Sequence, residues 1–280
     1  MQQDITADFA ADSLRAPMPL RFRVSTRIGA KTDLGRVREN NEDKFEYYIP
    51  SDDDTLARKG HVYVVCDGMG GHNAGQIASE LAIKTFLDTY LNHPADDPAI
   101  AAQAAAEAAN RYVHEVGIAI PSRRGMGTTL TALILWQDQA IWAQVGDSRG
   151  YRIRAGELTQ RTPEHTWIEE SVAAGMLTRE QAEAHPYRHV ITRAIGTEAT
   201  VPVDTVAEQL EAGDVYVLCS DGLTNHVSDP QLLATATEFG PSEAAWKLVG
   251  QALLGGGSDN CTVVVIHVDS LEPNAPATAP

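Results

Sequence analysis

The chain is short of cysteine, of aromatic rings and of positive charge. Its three cysteines, Cys66, Cys219 and Cys261, each fall inside an apolar, strand-like run. An odd count in that setting excludes a disulfide framework and reads as small core residues in a reducing compartment. CxxC and HExxH are absent, which removes the commonest zinc signatures. The stretch Gly70–Gln76 lacks the Lys-Ser/Thr of a nucleotide P-loop, and Gly68–Asn73 lacks the third glycine of a dinucleotide fingerprint. No window approaches the ~20 apolar residues of a membrane span. The N-terminal MQQDITADFAADSLRAPMPL carries acids and no apolar run, unlike a secretory signal. Lysine and arginine number 22 against 38 acids, a net charge of −16, which argues against nucleic acid or an anionic membrane as the partner. A cytoplasmic location is therefore expected.

What is present suits one large domain. The 280 residues are 43% hydrophobic, enough for a substantial core. Residues 1–20 and 271–280 read as tails around a domain at 21–270. Arg21–Ala30 and Phe45–Ile49 read as strands, and Pro50–Gly60 as a charged surface loop. Ala74–Asn92 has helical spacing, and alanine-rich Pro98–Val116 should be a second helix. Two hairpins are expected, Thr128–Trp136 with Ala140–Val145, and Tyr151–Arg154 with Glu157–Thr159. Thr162–Gly196 is polar, rich in His and Arg and helical in pattern, as a flap would be. Its His185 and His189 are four apart, but Pro186 disfavours helix there, so they read as flap surface. Strands at Val203–Val206 and Val215–Cys219, helices at Gln231–Thr237 and Ser242–Leu254, and a last strand at Cys261–Val268 follow. Strands come in blocks rather than in strict βαβ alternation, which favours α+β with largely antiparallel sheets covered by helices.

The stretch that organises the rest is His61–Gly75. Its apolar run Val62–Cys66 stops at Asp67, and Gly68, Gly70, Gly71 and Gly75 follow before a helix begins. Val215–Cys219 repeats the wording and ends in Ser220-Asp221-Gly222. Ala140–Val145 ends in Gly146-Asp147-Ser148, and Ser258-Asp259-Asn260 precedes Cys261–Val268. One Asp beside Gly or Ser is ordinary turn chemistry; four at strand ends suggest carboxylates gathered at one place. Two ionised carboxylates ~4 Å apart repel by roughly 4 kcal/mol at an effective dielectric of 20. Such a cluster is tolerable when protonated or when it binds cations, and oxygen ligands select hard ions, Mg²⁺ or Mn²⁺. A phosphate monoester approaching so acidic a protein needs positive charge beyond the metals, for which Arg38 offers a planar fork.

Thr32–Asp43 resembles the opening motif of the metal-dependent Ser/Thr protein phosphatases, the type 2C class. Asp67-Gly68-Met69-Gly70-Gly71-His72 is similar to their central motif. Gly127-Thr128-Thr129, Val145–Arg149, Ser220-Asp221-Gly222 and Ser258-Asp259-Asn260 match the later motifs in order, with the wording of the bacterial branch, over about Arg23–Val268. The resemblance implies a central sandwich of two antiparallel sheets flanked by α-helices on both sides, a four-layer αββα fold. It implies Mn²⁺ or Mg²⁺, two ions with a third, weaker one. Asp67 would bridge both metals, the Gly68 carbonyl would ligate one, and Asp221 and Asp259 would complete the other shell. Asp43 would hold metal-bound water, assisted by Glu42. Asp147 would bind the third ion and Arg38 the substrate phosphate. A bridging hydroxide would attack phosphorus in line, on phosphoserine or phosphothreonine. The partners implied are phosphorylated proteins, substrates of a Ser/Thr kinase, met by a monomer. Met69 stands where animal relatives carry a histidine proposed as general acid, which leaves that role unassigned; His72 cannot simply inherit it. Two other readings stay open: a non-catalytic phosphoprotein-binding module, and a narrow regulatory phosphatase of one partner.

Overall fold

The computed structural model describes residues 18–70, 74–183, 185–187 and 189–274. Most of both expected tails, and Gly71 and His72 of the central motif, lie outside the described residues.

Two five-stranded sheets form the centre. The first has the order β1 (Phe22–Asp33), β12 (Cys261–Pro273), β11 (Val215–Cys219), β8 (Arg149–Arg154) and β9 (Glu157–Gln160). The second runs β10 (Asp204–Gln209), β7 (Gln139–Val145), β6 (Leu130–Trp136), β3 (His61–Cys66) and β2 (Lys44–Tyr48). Every neighbouring pair is antiparallel. β3 and β11 are buried along their whole length, because both faces of each are covered, and their sequences are correspondingly unbroken in apolar character. At the sheet edge, β10 alternates half-buried and exposed residues.

Three apolar layers follow. Tyr63, Leu133, Trp142, Tyr216 and Ile266 interleave between the sheets. Outside the second sheet pack α2 (Ala74–Asn92) and α3 (Pro98–Ala119). Outside the first lie α7 (Asp229–Glu238) and α8 (Pro241–Leu254). The result is the four-layer αββα sandwich. α3 starts where it does because the Asp97 side chain accepts from the Ala99 N–H at 2.8 Å, with Pro98 at the first helical position. The β8–β9 hairpin turns at Ala155 and Gly156, with φ of 51° and 80°, the left-handed pair that suits a two-residue turn.

Several expectations need correction. The 50–60 segment holds α1 (Asp53–Lys59), capped by Asp52, whose side chain accepts from the Thr55 N–H at 2.8 Å. Acids in its first turn and Arg58 and Lys59 in its last complement the helix dipole. Leu20 is buried against Leu56 and Ala57, and β12 pairs as far as Pro273, opposite Phe22; both ends of the domain thus extend into the expected tails. The 162–196 excursion is mostly irregular, with two short helices, α4 (Trp167–Ala173) and α5 (Arg179–Glu183). Gly175, at φ 71°, and Pro186 interrupt the pattern that suggested longer ones. Two short segments escaped the sequence reading: the β4–β5 pair (Gly68–Met69 with Gly127–Thr128) and α6 (Asp221–Thr224).

Leu133→Ala would open a cavity between the sheets. It is expected to cost about 2–5 kcal/mol, read as a lower urea midpoint at unchanged slope, with the metal-binding isotherm intact.

Candidate metal centre

The strand directions bring the aspartates together. β3, β7 and β11 all end, and β12 begins, at the same end of the sandwich, so Asp67, Asp147, Asp221 and Asp259 face one cleft. That cleft, about 610 Å³, is lined by all four, and also by Arg38, Glu42, Gly68 and Met69. Asp43, just before β2, is 1% exposed and sits behind this lining.

Backbone and hydroxyl contacts fix each carboxylate. The Asp67 N–H donates to Thr129 Oγ1 at 2.8 Å, and its carbonyl accepts from the Thr129 N–H and from Thr128 Oγ1, both at 2.8 Å. The Gly68 N–H donates to the Glu42 carbonyl at 3.2 Å. A Cβ on Gly68 would fall 2.1 Å from the Gly75 carbonyl oxygen, so only glycine fits under the start of α2. Ser220 Oγ donates to Asp43 Oδ2 at 2.7 Å and accepts from the Thr262 N–H at 3.0 Å. Asn225, one turn along from Asp221, donates to Asp221 Oδ2 at 3.1 Å. Asn260 donates to the carbonyls of Leu34 and Asn40 and accepts from the Glu42 N–H, at 2.9, 3.0 and 2.8 Å. It thereby ties the opening motif to the last one.

Arg38 is paired. Its Nη2 donates to Asp259 Oδ2 at 2.6 Å, so the residue expected on phosphate contacts a carboxylate expected on metal. Asn225, His226 and Ile191, which no sequence motif singled out, also line the cleft, as do Ser258 of the last motif and His189, expected only on the flap surface. The Asp221–Asn225 spacing of one helical turn was the available signal; His185, by contrast, stacks on Trp167 with centroids 4.9 Å apart.

Burial and mutual repulsion dominate the electrostatics of the cleft. Burial, then the neighbouring Asp43, Asp221, Asp147 and Asp259, pushes the Asp67 carboxyl well above its usual range. Burial first and Asp259 next raise Asp221. Asp43 is pushed up to about 6, chiefly by burial against the opposing Ser220 hydroxyl. Asp147 rises to about 7, by burial and then Asp221. Among the described residues, no three acids or histidines already converge as a ready ligand set. The donor set nevertheless fits hard cations. The ligands on offer are oxygens, and Asp43 Oδ1 is buried without a hydrogen-bond partner, free to accept from a coordinated water. Asp67, Asp221 and Asp259, with the Gly68 carbonyl, would hold the principal ions, and Asp147 a further one.

A helix-flanked β-sandwich with aspartates and Arg38 at its open end defines an acidic site suited to hard cations and an anionic ligand. Residues 40–247 match the model of the family described as protein phosphatase 2C, and the chain belongs to that family. It is 38% identical to the serine/threonine protein phosphatase PstP of Mycobacterium tuberculosis over 89% of this chain, spanning 46% of that relative's length. It is 37% identical to the protein phosphatase PhpP of Streptococcus pneumoniae over 86% of this chain and 97% of that protein. The crystal structure of M. tuberculosis PstP/Ppp superposes with a TM-score of 0.79 at 38% identity, covering 89% of this chain and all of that one. The PstP catalytic domain in complex with two manganese ions gives 0.75 at 36% identity, with the same coverage.

The raised carboxylates set a pH dependence. With folded values above the unfolded one, the metal-free fold keeps protons that an unfolded chain has shed. This stabilisation is full at low pH and is lost as pH rises through about 7, the Asp147 value. The Tm of EDTA-treated protein is expected to fall from about pH 4, where an aspartate of the unfolded chain ionises, to about pH 7 and to level off above it, with a shallower fall in Asp147→Asn. Mn²⁺ added at the higher pH should restore Tm, and a flat profile would contradict the assignment.

Proposed function

We propose that the chain is a metal-dependent protein serine/threonine phosphatase acting on cytoplasmic phosphoproteins, and that the residues of the cleft divide the work as follows. The observation that carries this reading is the opening of Asp67, Asp147, Asp221 and Asp259 onto one cleft with Arg38, and Asp43 buried beside them, in a chain of this family. When bound, Mn²⁺ or Mg²⁺ ions supply Lewis acidity to the phosphate oxygens and lower the pKa of water. Arg38 captures the phosphate. With cation charge beside Asp259, its guanidinium would be free to turn from that carboxylate, and its fork would donate to two phosphate oxygens in place of one carboxylate oxygen. Asp43 orients the attacking water through Oδ1, because Ser220 already occupies Oδ2. Glu42, whose pKa is raised first by burial, stands at the cleft wall as a further acceptor. The 162–196 excursion acts as a flap: His189 and Ile191 line the cleft beside the aspartates, where residues flanking the phosphoamino acid would pass.

Action as a monomer is part of this proposal. The partners inferred are phosphoproteins made by a Ser/Thr kinase. Among the described residues, no helix is long and apolar enough to cross a membrane.

Hydrolysis of a phosphothreonine peptide should appear with Mn²⁺ and vanish with excess EDTA. Asp221→Asn and Asp259→Asn should each lower kcat by about 100-fold or more, the scale of removing one transition-state contact, with the fold retained by circular dichroism. Wild-type rates in both would overturn the metal assignment. Arg38→Ala should raise KM about 10- to 100-fold, the loss of a charged hydrogen bond, with a smaller change in kcat. Folded protein that binds phosphopeptide yet turns nothing over with any metal would instead mark a binding module.

A further inference from the structure

Gly146 immediately precedes Asp147, and both of its backbone groups are held by one residue of the flap. The Gly146 N–H donates to His165 Nδ1 at 3.0 Å, and the His165 N–H donates back to the Gly146 carbonyl at 2.9 Å. Gly146 sits at φ 103°, and a Cβ there would lie 2.6 Å from Thr129 Cγ2, so this pivot admits only glycine. His165 itself is 3% exposed. With Nδ1 accepting, the ring proton is assigned to Nε2, which donates to Asp204 Oδ2 at 2.6 Å. Arg193 Nη1 donates to the same oxygen at 3.1 Å. On its far side the His165 carbonyl accepts from the Thr192 N–H at 2.8 Å, and the Trp167 N–H donates to the Val190 carbonyl at 2.8 Å. One buried residue therefore joins the Asp147 turn to the returning limb of the flap: its ring holds the Gly146 N–H and, through Asp204, meets Arg193, while its backbone carbonyl holds Thr192, and that limb carries His189 and Ile191 into the cleft.

We propose that His165 is a positioning residue for Asp147, clamping the Gly146 peptide so that ion capture by Asp147 and docking of the 190–193 limb occur together. The inference rests on the reading of Asp147 as a metal ligand. In this arrangement His165 touches neither phosphate nor metal. It acts as an outer-shell group does, by fixing the direction of a ligand it does not itself replace. The arrangement also runs in reverse: a peptide that pulls the 190–193 limb from its seat loosens the Asp147 turn.

The test uses the full chain, stripped with EDTA and titrated with Mn²⁺ by calorimetry, with amide exchange at residues 190–193 as the second readout. Wild type should show tight binding followed by a weaker phase, and exchange at 190–193 should slow as that phase fills. H165Q places its amide at the Nε2 position and leaves the Gly146 N–H without an acceptor. It should weaken the second phase about 10- to 100-fold, the usual cost of losing an outer-shell partner, leave the tight phase alone, and speed exchange at 190–193. H165N puts an oxygen where Nδ1 stands and should recover most of the weak phase. A folded H165Q with a wild-type weak phase overturns the proposal. If H165Q does not fold, D204N decides: the half-exposed Asp204 anchors Nε2, so a weakened second phase supports the clamp and an unchanged one overturns it. D147N separates the two readings. Loss of the weak phase there, with none in H165Q, defeats only the clamp; a weak phase that persists in D147N removes the metal role of Asp147 and the clamp with it.

Discussion

The structure depends on a repulsion. Five carboxylates are pressed toward one end of a sandwich whose interior excludes water, and four of them, Asp43, Asp67, Asp147 and Asp221, are displaced upward by burial first and by neighbouring carboxylates after it. No fold keeps such an arrangement for stability alone, since apolar residues would fill the same strand ends at less cost. The surrounding architecture is legible as the means of holding those groups against their mutual field. Two closely packed sheets give rigid strand ends, and glycine at position 68 lets a helix start press close behind Asp67.

The frame is built from neutral hydrogen-bonding groups rather than counter-ions. Ser220, Thr262 and Thr32 form a chain of contacts behind Asp43, with Thr32 and Thr262 hydroxyls 2.7 Å apart. Thr128 and Thr129 enclose the Asp67 peptide. Hydroxyls orient without adding positive charge, so the site keeps its appetite for cations. Arg38 is the exception. It bonds Asp259 from a side chain that remains half exposed, and such a contact is readily exchanged for another anion.

Much of this was readable from residue order. Each aspartate ends or precedes an apolar strand, and strand polarity in an antiparallel sandwich sends those ends to one place. Val62–Cys66 in β3, Val215–Cys219 in β11 and Val263–Ile266 in β12 are unbroken apolar runs, so their burial was visible without structure. Other features depended on long-range contact. Arg38 meets Asp259 across 221 residues, and no local pattern announces that pair. His165 looked like one of several flap histidines, because its partner Gly146 is a backbone N–H with no sequence signature. α1 was hidden by its charge: a helix of Asp, Arg and Lys stabilised by a cap and by its dipole has little apolar periodicity to detect. In the flap, an apparent helical period was overruled by Gly175 and Pro186.

The pairing of β1 with β12 has a consequence for the order in which the molecule can be made. In the first sheet, β12 lies between β1 and β11, yet it follows both of them in chain order. Thr32 waits for Thr262, 230 residues behind it, and until then β1 has no neighbour in its sheet and Asn260 has not tied the opening motif. A nascent chain on the ribosome therefore carries Arg38, Asp43, Asp67 and Asp147 long before they can be assembled. Sheet closure and completion of the cleft are one late event. A partly translated or C-terminally clipped chain has no half-working form, and β1 is the edge along which such fragments would associate with one another.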